Sequence, residues 1–517
     1  MRAVVAAFMT ALAVVAIAAS PAAARTTRTH HGPTRTHIRR THIRRTHSAS
    51  TRSHAGARRS PSHTATTRHP TDEPASTSQP TFASGDGLTV DSVQWVDPRL
   101  AAITFTTAAL PAPVSVDILL PAGYSTTAAT HYPVLYLFDG TSGHASDWAT
   151  SGDVEQTVGN RQLITVMPDI ALNGNGGGWC TNWPGGAESW ETFHIDQLIP
   201  WVQANLRTVA DRGGRAIAGL SQGGFCAMSY AARFPDMFGT ALSYSGAPDI
   251  AYNTIIHLGA VAVVDVTEVL MSGVGPDSVL GSPITDEINW AGHDPATLAE
   301  NLRWTRMRLY WGDGLPGSLD PPGTLPIGIE TLIYADNVEF ERRLDNLGIP
   351  AYFDDYGSGT HSWPYWARDL RWSINAIMRS FAHPAPPPKQ ITYTSDEPSY
   401  SQWGWSVAIT RDTTELSMLG NAGADGFTLS GSGSATVTTP DSYTPGASYE
   451  ITESGHDGVT AFTATADAGG ALTLSVPLGP SNTVQEYSPA AIFGPPRSTF
   501  TTAVTIAPRS PRESPQT

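Results

Sequence analysis

The hexapeptide Gly219-Leu220-Ser221-Gln222-Gly223-Gly224 stands where a buried apolar run, Arg215–Leu220, gives way to a helical pattern over residues 222–234. A serine on a sharp strand-to-helix turn needs small residues two before and two after it, because larger Cβ groups would strike the neighbouring backbone. Such a turn exposes the hydroxyl in front of a helix N-terminus, where developing negative charge is favoured. The chemistry indicated is attack of Ser221 on an acyl carbonyl. A serine hydroxyl is inert at its free pKa, so a base and an orienting acid must come later in the chain, in the order serine, acid, histidine.

The histidines after the turn are His257, His293, His361, His383 and His456. His361 follows a strand pattern over 351–354 through the loop Gly357-Ser358-Gly359-Thr360 and precedes a helix, so it is the expected base. Asp313 ends the strand pattern 307–311 and is the acid that spacing alone favours, with Glu330 at a helix start after Pro326 as the other candidate. Asp354 and Asp355 are expected to cap a strand end.

These side chains need a scaffold. Short β-rich runs at 88–96, 102–106, 114–120, 133–138, 163–167, 215–220, 241–245, 307–311 and 351–354 alternate with helical patterns at 190–206, 222–234, 329–347 and 365–381. Strands alternating with helices require crossovers, so residues 88–382 are expected to form an α/β domain with a mainly parallel sheet. Residues 251–300 break the rhythm and are expected to lie over the carboxyl edge of that sheet. A stiff Pro-rich spacer at 383–389 leads to an all-β region, 390–508. Seven short strands there (403–409, 427–430, 435–439, 448–452, 460–465, 472–476 and 499–506) suit a β-sandwich with a binding, spacing or capping role. Residues 509–517 read as a frayed tail.

Composition sets the outer limits. The chain has 517 residues, 40% of them hydrophobic, enough for packed cores. After the N-terminus no apolar run is expected to reach the roughly 18 residues of a membrane span. Residues 1–24 have a charged start, an apolar stretch and an Ala-rich end, the pattern of a cleavable signal peptide, so export is expected. Residues 25–87 form an Arg-, His-, Thr- and Pro-rich arm and linker expected to be disordered. Of the 31 Lys and Arg, twelve precede residue 71 and no acid does, which leaves 19 cations against 46 carboxylates in the rest. The arm suits contact with anionic envelope polymers, while so acidic a body argues against nucleic acid as the partner of the folded part. No metal or cofactor motif is evident. Cys180 and Cys226 are the chain's two cysteines, a candidate disulfide in an exported protein.

The residues Leu137-Phe138-Asp139-Gly140, Gly219-Leu220-Ser221, Trp290 with Asp294-Pro295, Tyr310-Trp311-Gly312-Asp313-Gly314 and Gly359-Thr360-His361-Ser362-Trp363-Pro364-Tyr365-Trp366 resemble the antigen 85 family of mycobacterial mycolyltransferases. The resemblance covers about residues 85–382 and implies an α/β-hydrolase fold and serine esterase or acyltransferase chemistry. It moves the acid from Asp313 to Glu330, because the family's acid is a helical glutamate ten residues before a phenylalanine, here Phe340, and about thirty before the histidine. It also implies an oxyanion hole from the backbone N–H groups of Thr141 and Gln222, with Asp139 and Trp363 facing the acceptor sugar and the acyl entrance. The implied partners are a lipid or ester acyl donor and a sugar, a glycerol-type hydroxyl or water as acceptor. Where the family continues Asp-Gly with leucine and arginine, this chain has Thr141-Ser142. A non-catalytic envelope-binding protein on the same scaffold is the alternative from another class; retention of Ser221, His361 and Glu330 argues against it.

Overall fold

The structure is a computed structural model that describes residues 79–509, apart from 327 and 495. The expected leader, the arm and linker up to residue 78 and the tail from 510 lie outside the described residues; residues 79–87, expected to be disordered with that linker, are instead packed, with Phe82 in the core and the Ala83 carbonyl accepting from Trp201 Nε1 at 2.7 Å. A nine-stranded sheet is built from β1 (Leu88–Trp95), β2 (Leu100–Thr107), β3 (Val114–Leu119), β4 (Val134–Phe138), β5 (Ile164–Pro168), β6 (Arg215–Leu220), β7 (Thr240–Tyr244), β8 (Arg306–Trp311) and β9 (Ala351–Asp355). Its order is β1-β2-β3-β5-β4-β6-β7-β8-β9. The first three pairings are antiparallel, and every pairing from β5 to β9 is parallel.

The central strands β4, β5 and β7 are buried at every residue. That is what a parallel sheet covered on both faces demands, and it explains their unbroken apolar text. Alternation along β4 sends Tyr136 and Phe138 into one core and Leu135 and Leu137 into the other. The covering helices that matter to the site are α1 (Gln222–Arg233), α2 (Thr254–Thr267), α3 (Gly328–Leu347) and α4 (Trp363–Ala382).

The expected helix at 190–206 is divided. A π-helical stretch, Thr192–Leu198, precedes an α-helical one, Ile199–Asn205, with Pro200 in its first turn. Proline has no N–H to donate and fits at a helix start, so the regular α ladder resumes there. The segment expected over the carboxyl edge holds α2, which runs on through a π-helical turn, Glu268–Ser272. This rod of 19 residues, Thr254–Ser272, has a mean hydropathy of 1.7 and is long and apolar enough to cross a membrane. That corrects the expectation of no such run after the N-terminus, which Asp265 and Glu268 concealed.

After α4, ten strands form two antiparallel sheets that share one apolar core. The six-stranded sheet has the order β10 (Ile391–Ser395), β13 (Ser417–Gly423), β14 (Gly426–Gly431), β19 (Phe500–Pro508), β16 (Ser448–Gly455), β17 (Gly458–Thr465), and the four-stranded one the order β11 (Ser399–Gln402), β12 (Trp405–Thr410), β15 (Ser434–Thr438), β18 (Thr473–Pro477). The three strands beyond the expected seven are β10 (Ile391–Ser395), β11 (Ser399–Gln402) and β13 (Ser417–Gly423). Ser, Thr and Gly dominate them and they carry few of the β-branched apolar residues that betray a strand. The β10–β11 region packs on the α/β part. Tyr393 and Gln402 donate to the Arg233 carbonyl at the end of α1, and Asn301 exchanges two hydrogen bonds with the Thr394 backbone.

Candidate active site

Ser221 sits between β6 and α1 with φ +51° and ψ −123°, a conformation L-residues rarely adopt. Its N–H is held by the Tyr244 carbonyl at 2.9 Å. The flanking glycines are required by contact. A Cβ on Gly219 would lie 2.2 Å from the Gly223 carbonyl oxygen, and one on Gly223 would lie 2.0 Å from the Asp139 carbonyl oxygen. Strain of about 1–3 kcal/mol at such a residue persists only where its surroundings impose it.

His361 Nε2 is 2.8 Å from Ser221 Oγ, and His361 Nδ1 is 2.6 Å from Glu330 Oε2. The Glu330 carboxylate is fully buried, and its other oxygen accepts from Ser245 Oγ at 2.9 Å and from the Gly312 N–H at 2.8 Å. With both oxygens occupied by donors, this group is fixed as an acceptor toward Nδ1, which leaves Nε2 free to accept from Ser221. Asp313 does something else: its carboxylate accepts from the Leu315 N–H and shapes the turn after β8. The Gln222 N–H heads α1 and so has no intrahelical acceptor. Among the described residues Thr141 N–H also donates to no carbonyl, and both residues line the same cavity as Ser221.

That cavity measures about 610 Å³. Its walls are mostly apolar: Trp179, Ile256, Val263, Leu332, Trp363 and Trp366 surround Ser221 and His361. Trp363 is thus part of the cavity lining. Asp139 is not. It is 1% exposed beneath the loop Gly140–Gly143, its carboxylate oxygens have no hydrogen-bond partner, and it is absent from the cavity lining. Burial and the nearby Asp169 and Asp147 carboxylates raise its pKa well above the usual range. Trp183 and Trp190 are core residues.

Cys180 and Cys226 are joined in a disulfide, with Cα atoms 5.5 Å apart. The bridge ties the loop that carries Trp179 to α1, five residues after Ser221. Sequence reasoning missed Ser245 and a second support, Asp320. The Asp320 carboxylate accepts from Thr360 Oγ, from Tyr365 Oη at 2.7 Å and from the Gly317 N–H at 2.7 Å. Thr360 and Tyr365 flank His361, so Asp320 pins the loop that aims the imidazole. Only a general signal, a loop aspartate before a Pro-Pro pair, was visible beforehand. Asp320→Ala should lower kcat about tenfold to a hundredfold with little change in KM, and Asp320→Asn should restore part of it. Steady-state kinetics of the two variants check this.

A family model described as a putative esterase matches residues 107–374, more than half of the chain. The chain belongs to this esterase family. The matched stretch contains Ser221, Glu330 and His361, the residues in hydrogen-bond sequence. Over 277 residues this esterase-family chain is 36% identical to the esterase Rv1288 of Mycobacterium tuberculosis, an alignment covering 52% of this chain and 57% of that one. It is 31% identical over 243 residues to the MPT51/MPB51 antigen of Mycobacterium bovis, covering 46% and 76%. It is 28% identical over 269 residues to the diacylglycerol acyltransferase/mycolyltransferase Ag85B of Mycobacterium leprae, covering 48% and 78%. The match thus spans little more than half the length of the first of these relatives.

Proposed function

We propose that the protein is an exported serine esterase or acyltransferase that works through an acyl-enzyme. The observation that carries this reading is the unbroken relay from Ser221 Oγ through the His361 ring to the buried Glu330 carboxylate. Ser221 Oγ attacks an ester carbonyl while its proton passes to His361 Nε2. Glu330 orients the ring and stabilises the imidazolium. The oxyanion of the tetrahedral intermediate is met by the N–H groups of Thr141 and Gln222 in front of the α1 N-terminus. His361 then returns the proton to the departing alcohol, and Ser221 is left acylated. A second oxygen nucleophile gives its proton to His361 and releases the acyl group in the reverse sense.

The apolar cavity beside Trp363 suits the acyl chain of a lipid or ester donor. The acceptor is water in an esterase, or a sugar or glycerol-type hydroxyl in a transferase. Similarity to an enzyme named a diacylglycerol acyltransferase/mycolyltransferase supports the second. The leader-like residues 1–24 support export, and the Arg-rich arm suits anionic polymers of a cell envelope.

The test is covalent. A fluorophosphonate probe should label the protein once, on the peptide containing Ser221, and an unlabelled serine would end this reading. With a p-nitrophenyl acyl donor, added trehalose or glycerol should yield an acylated acceptor if transfer is the activity; free acid alone identifies hydrolysis.

A further inference from the structure

The rod Thr254–Ser272 is apolar on opposite sides. Its inner stripe, with Ile256, Ala260 and Val263, lines the cavity that ends at Ser221. Its outer stripe is in water: Ile255 is 57% exposed, Leu258 66% and Leu270 46%. A helix apolar all round belongs inside a protein core or in hydrocarbon, yet only 22% of this one is buried. Half-buried Ala262 and Val266 lie between these exposed ends, and an exposed apolar face of this sort marks a docking site.

Two observations say what covers it. Met271 belongs to both surfaces, being 49% exposed while lining the cavity, and its sulfur accepts a hydrogen bond from Ser142 Oγ at 3.2 Å. The outer stripe therefore runs into the cavity beside the loop that carries Thr141, so what rests on the stripe adjoins the reaction site. The charge pattern narrows the choice further. There is no Lys or Arg from Phe234 to Leu302, whereas Asp265, Glu268 and Asp277 lie on or just after the rod. A cation near the rod, Arg343, is stacked on the Tyr252 ring 4.4 Å from its centroid, and the acids on the rod itself would repel an anionic headgroup.

We propose that the outer face of Thr254–Ser272 docks on the surface of an electrically neutral lipid aggregate, with the rod lying in the plane of the interface, so that an ester-linked chain passes Met271 into the cavity. This rests on the reading of the cavity as an acyl site. Leu258 and Leu270 supply the contact, and Met271 marks the entrance.

The test is flotation of the full chain with phosphatidylcholine-coated triolein droplets. It is run at ~1 M salt, where a Debye length of about 3 Å silences the Arg-rich arm. The wild type should float with the droplets. The double variant Leu258→Glu/Leu270→Glu should partition at least about tenfold less, since each buried leucine is worth about 1.5–3 kcal/mol. Turnover of soluble p-nitrophenyl acetate by the variant should stay within about twofold of wild type, which shows that fold and site survive. Should the acidic variant fail to fold, Leu258→Gln/Leu270→Gln should show the same selective loss. Equal flotation of variant and wild type overturns the proposal, as does a wild type that ignores the droplets and leaves the face to a protein. Flotation needs no catalysis, so a chain that floats but cleaves no ester removes the proposed chemistry and keeps the docking. One that cleaves soluble ester without floating does the opposite.

Discussion

Glu330→Gln should lower kcat by a factor on the order of 10⁴ while leaving KM and the thermal midpoint nearly unchanged. The reason lies in the donors around this side chain. Oε1 accepts from Ser245 Oγ and the Gly312 N–H, and Oε2 lies 2.6 Å from His361 Nδ1. A carboxamide offers one acceptor and one donor. If its oxygen faced His361, its NH₂ would abut the Gly312 N–H, a backbone donor that cannot reverse. The oxygen must therefore serve Ser245 and Gly312, and the NH₂ must point at Nδ1. Nδ1 then becomes the acceptor and the ring proton moves to Nε2, where it faces Ser221 Oγ. The ring is still in position, but it can no longer take the serine's proton. Steady-state kinetics on a soluble ester, together with a thermal melt, checks this. An undiminished kcat would remove Glu330 from the relay.

How much of this was legible beforehand depends on how local each constraint is. The elbow was readable because its demands are met within six residues: the burial of β6, two glycines that face backbone, and a helix start. His361 was readable as the histidine on a loop between a strand pattern and a helix. Glu330 was not readable from spacing, since Asp313 occupies the strand-end position such sheets favour, and only the resemblance pointed to the helix. The carboxylate reaches its partners across a gap that sequence distance does not encode. Asp139 shows the reverse error. Its place in a family motif implied an open, polar site, yet the packing of Gly140–Gly143 over it closes that site. The disulfide joins residues 46 apart and depends on the loop's path, as does the Asp320 contact with Thr360. The rod Thr254–Ser272 was passed over because two acids interrupt its text. Glu268 turns out to be buried and to accept from Trp179 Nε1 at 3.1 Å and Ser272 Oγ at 2.7 Å.

Glu268 also belongs to a group of carboxyls that should make the folded chain more stable at mildly acidic pH than at alkaline pH. Burial raises Asp117 to about 7, with repulsion from Asp169 adding to it. Burial and Asp294 raise Asp249 to about 7. Burial raises Glu268 to about 7 against its hydrogen-bond donors, and raises Asp369 to about 7 in spite of the Arg368 guanidinium 2.7 Å away. An unfolded chain titrates these groups near 4, so through the interval from about pH 8 down to about pH 6 the folded state binds protons that the unfolded state does not. Stability must then rise as pH falls. Each such group contributes about 1.4 kcal/mol over that interval, and the four together several kcal/mol. Two histidines oppose this. Burial lowers His194 to about 4, and burial with the Arg233 charge lowers His293 to about 3, so both must stay neutral in the fold. Their cost begins only below the ordinary histidine value near 6.5, and at pH 6 it is under about 1 kcal/mol each. The carboxyls therefore win down to about pH 6, and the histidines increasingly oppose them below it. Scanning calorimetry at constant salt should find a higher midpoint at pH 6 than at pH 8; a higher midpoint at pH 8 would contradict the argument. Asp117→Asn should reduce the mean slope between pH 8 and pH 6 by about half a proton, about 0.7 kcal/mol per pH unit, because an amide in that burial never has to lose one.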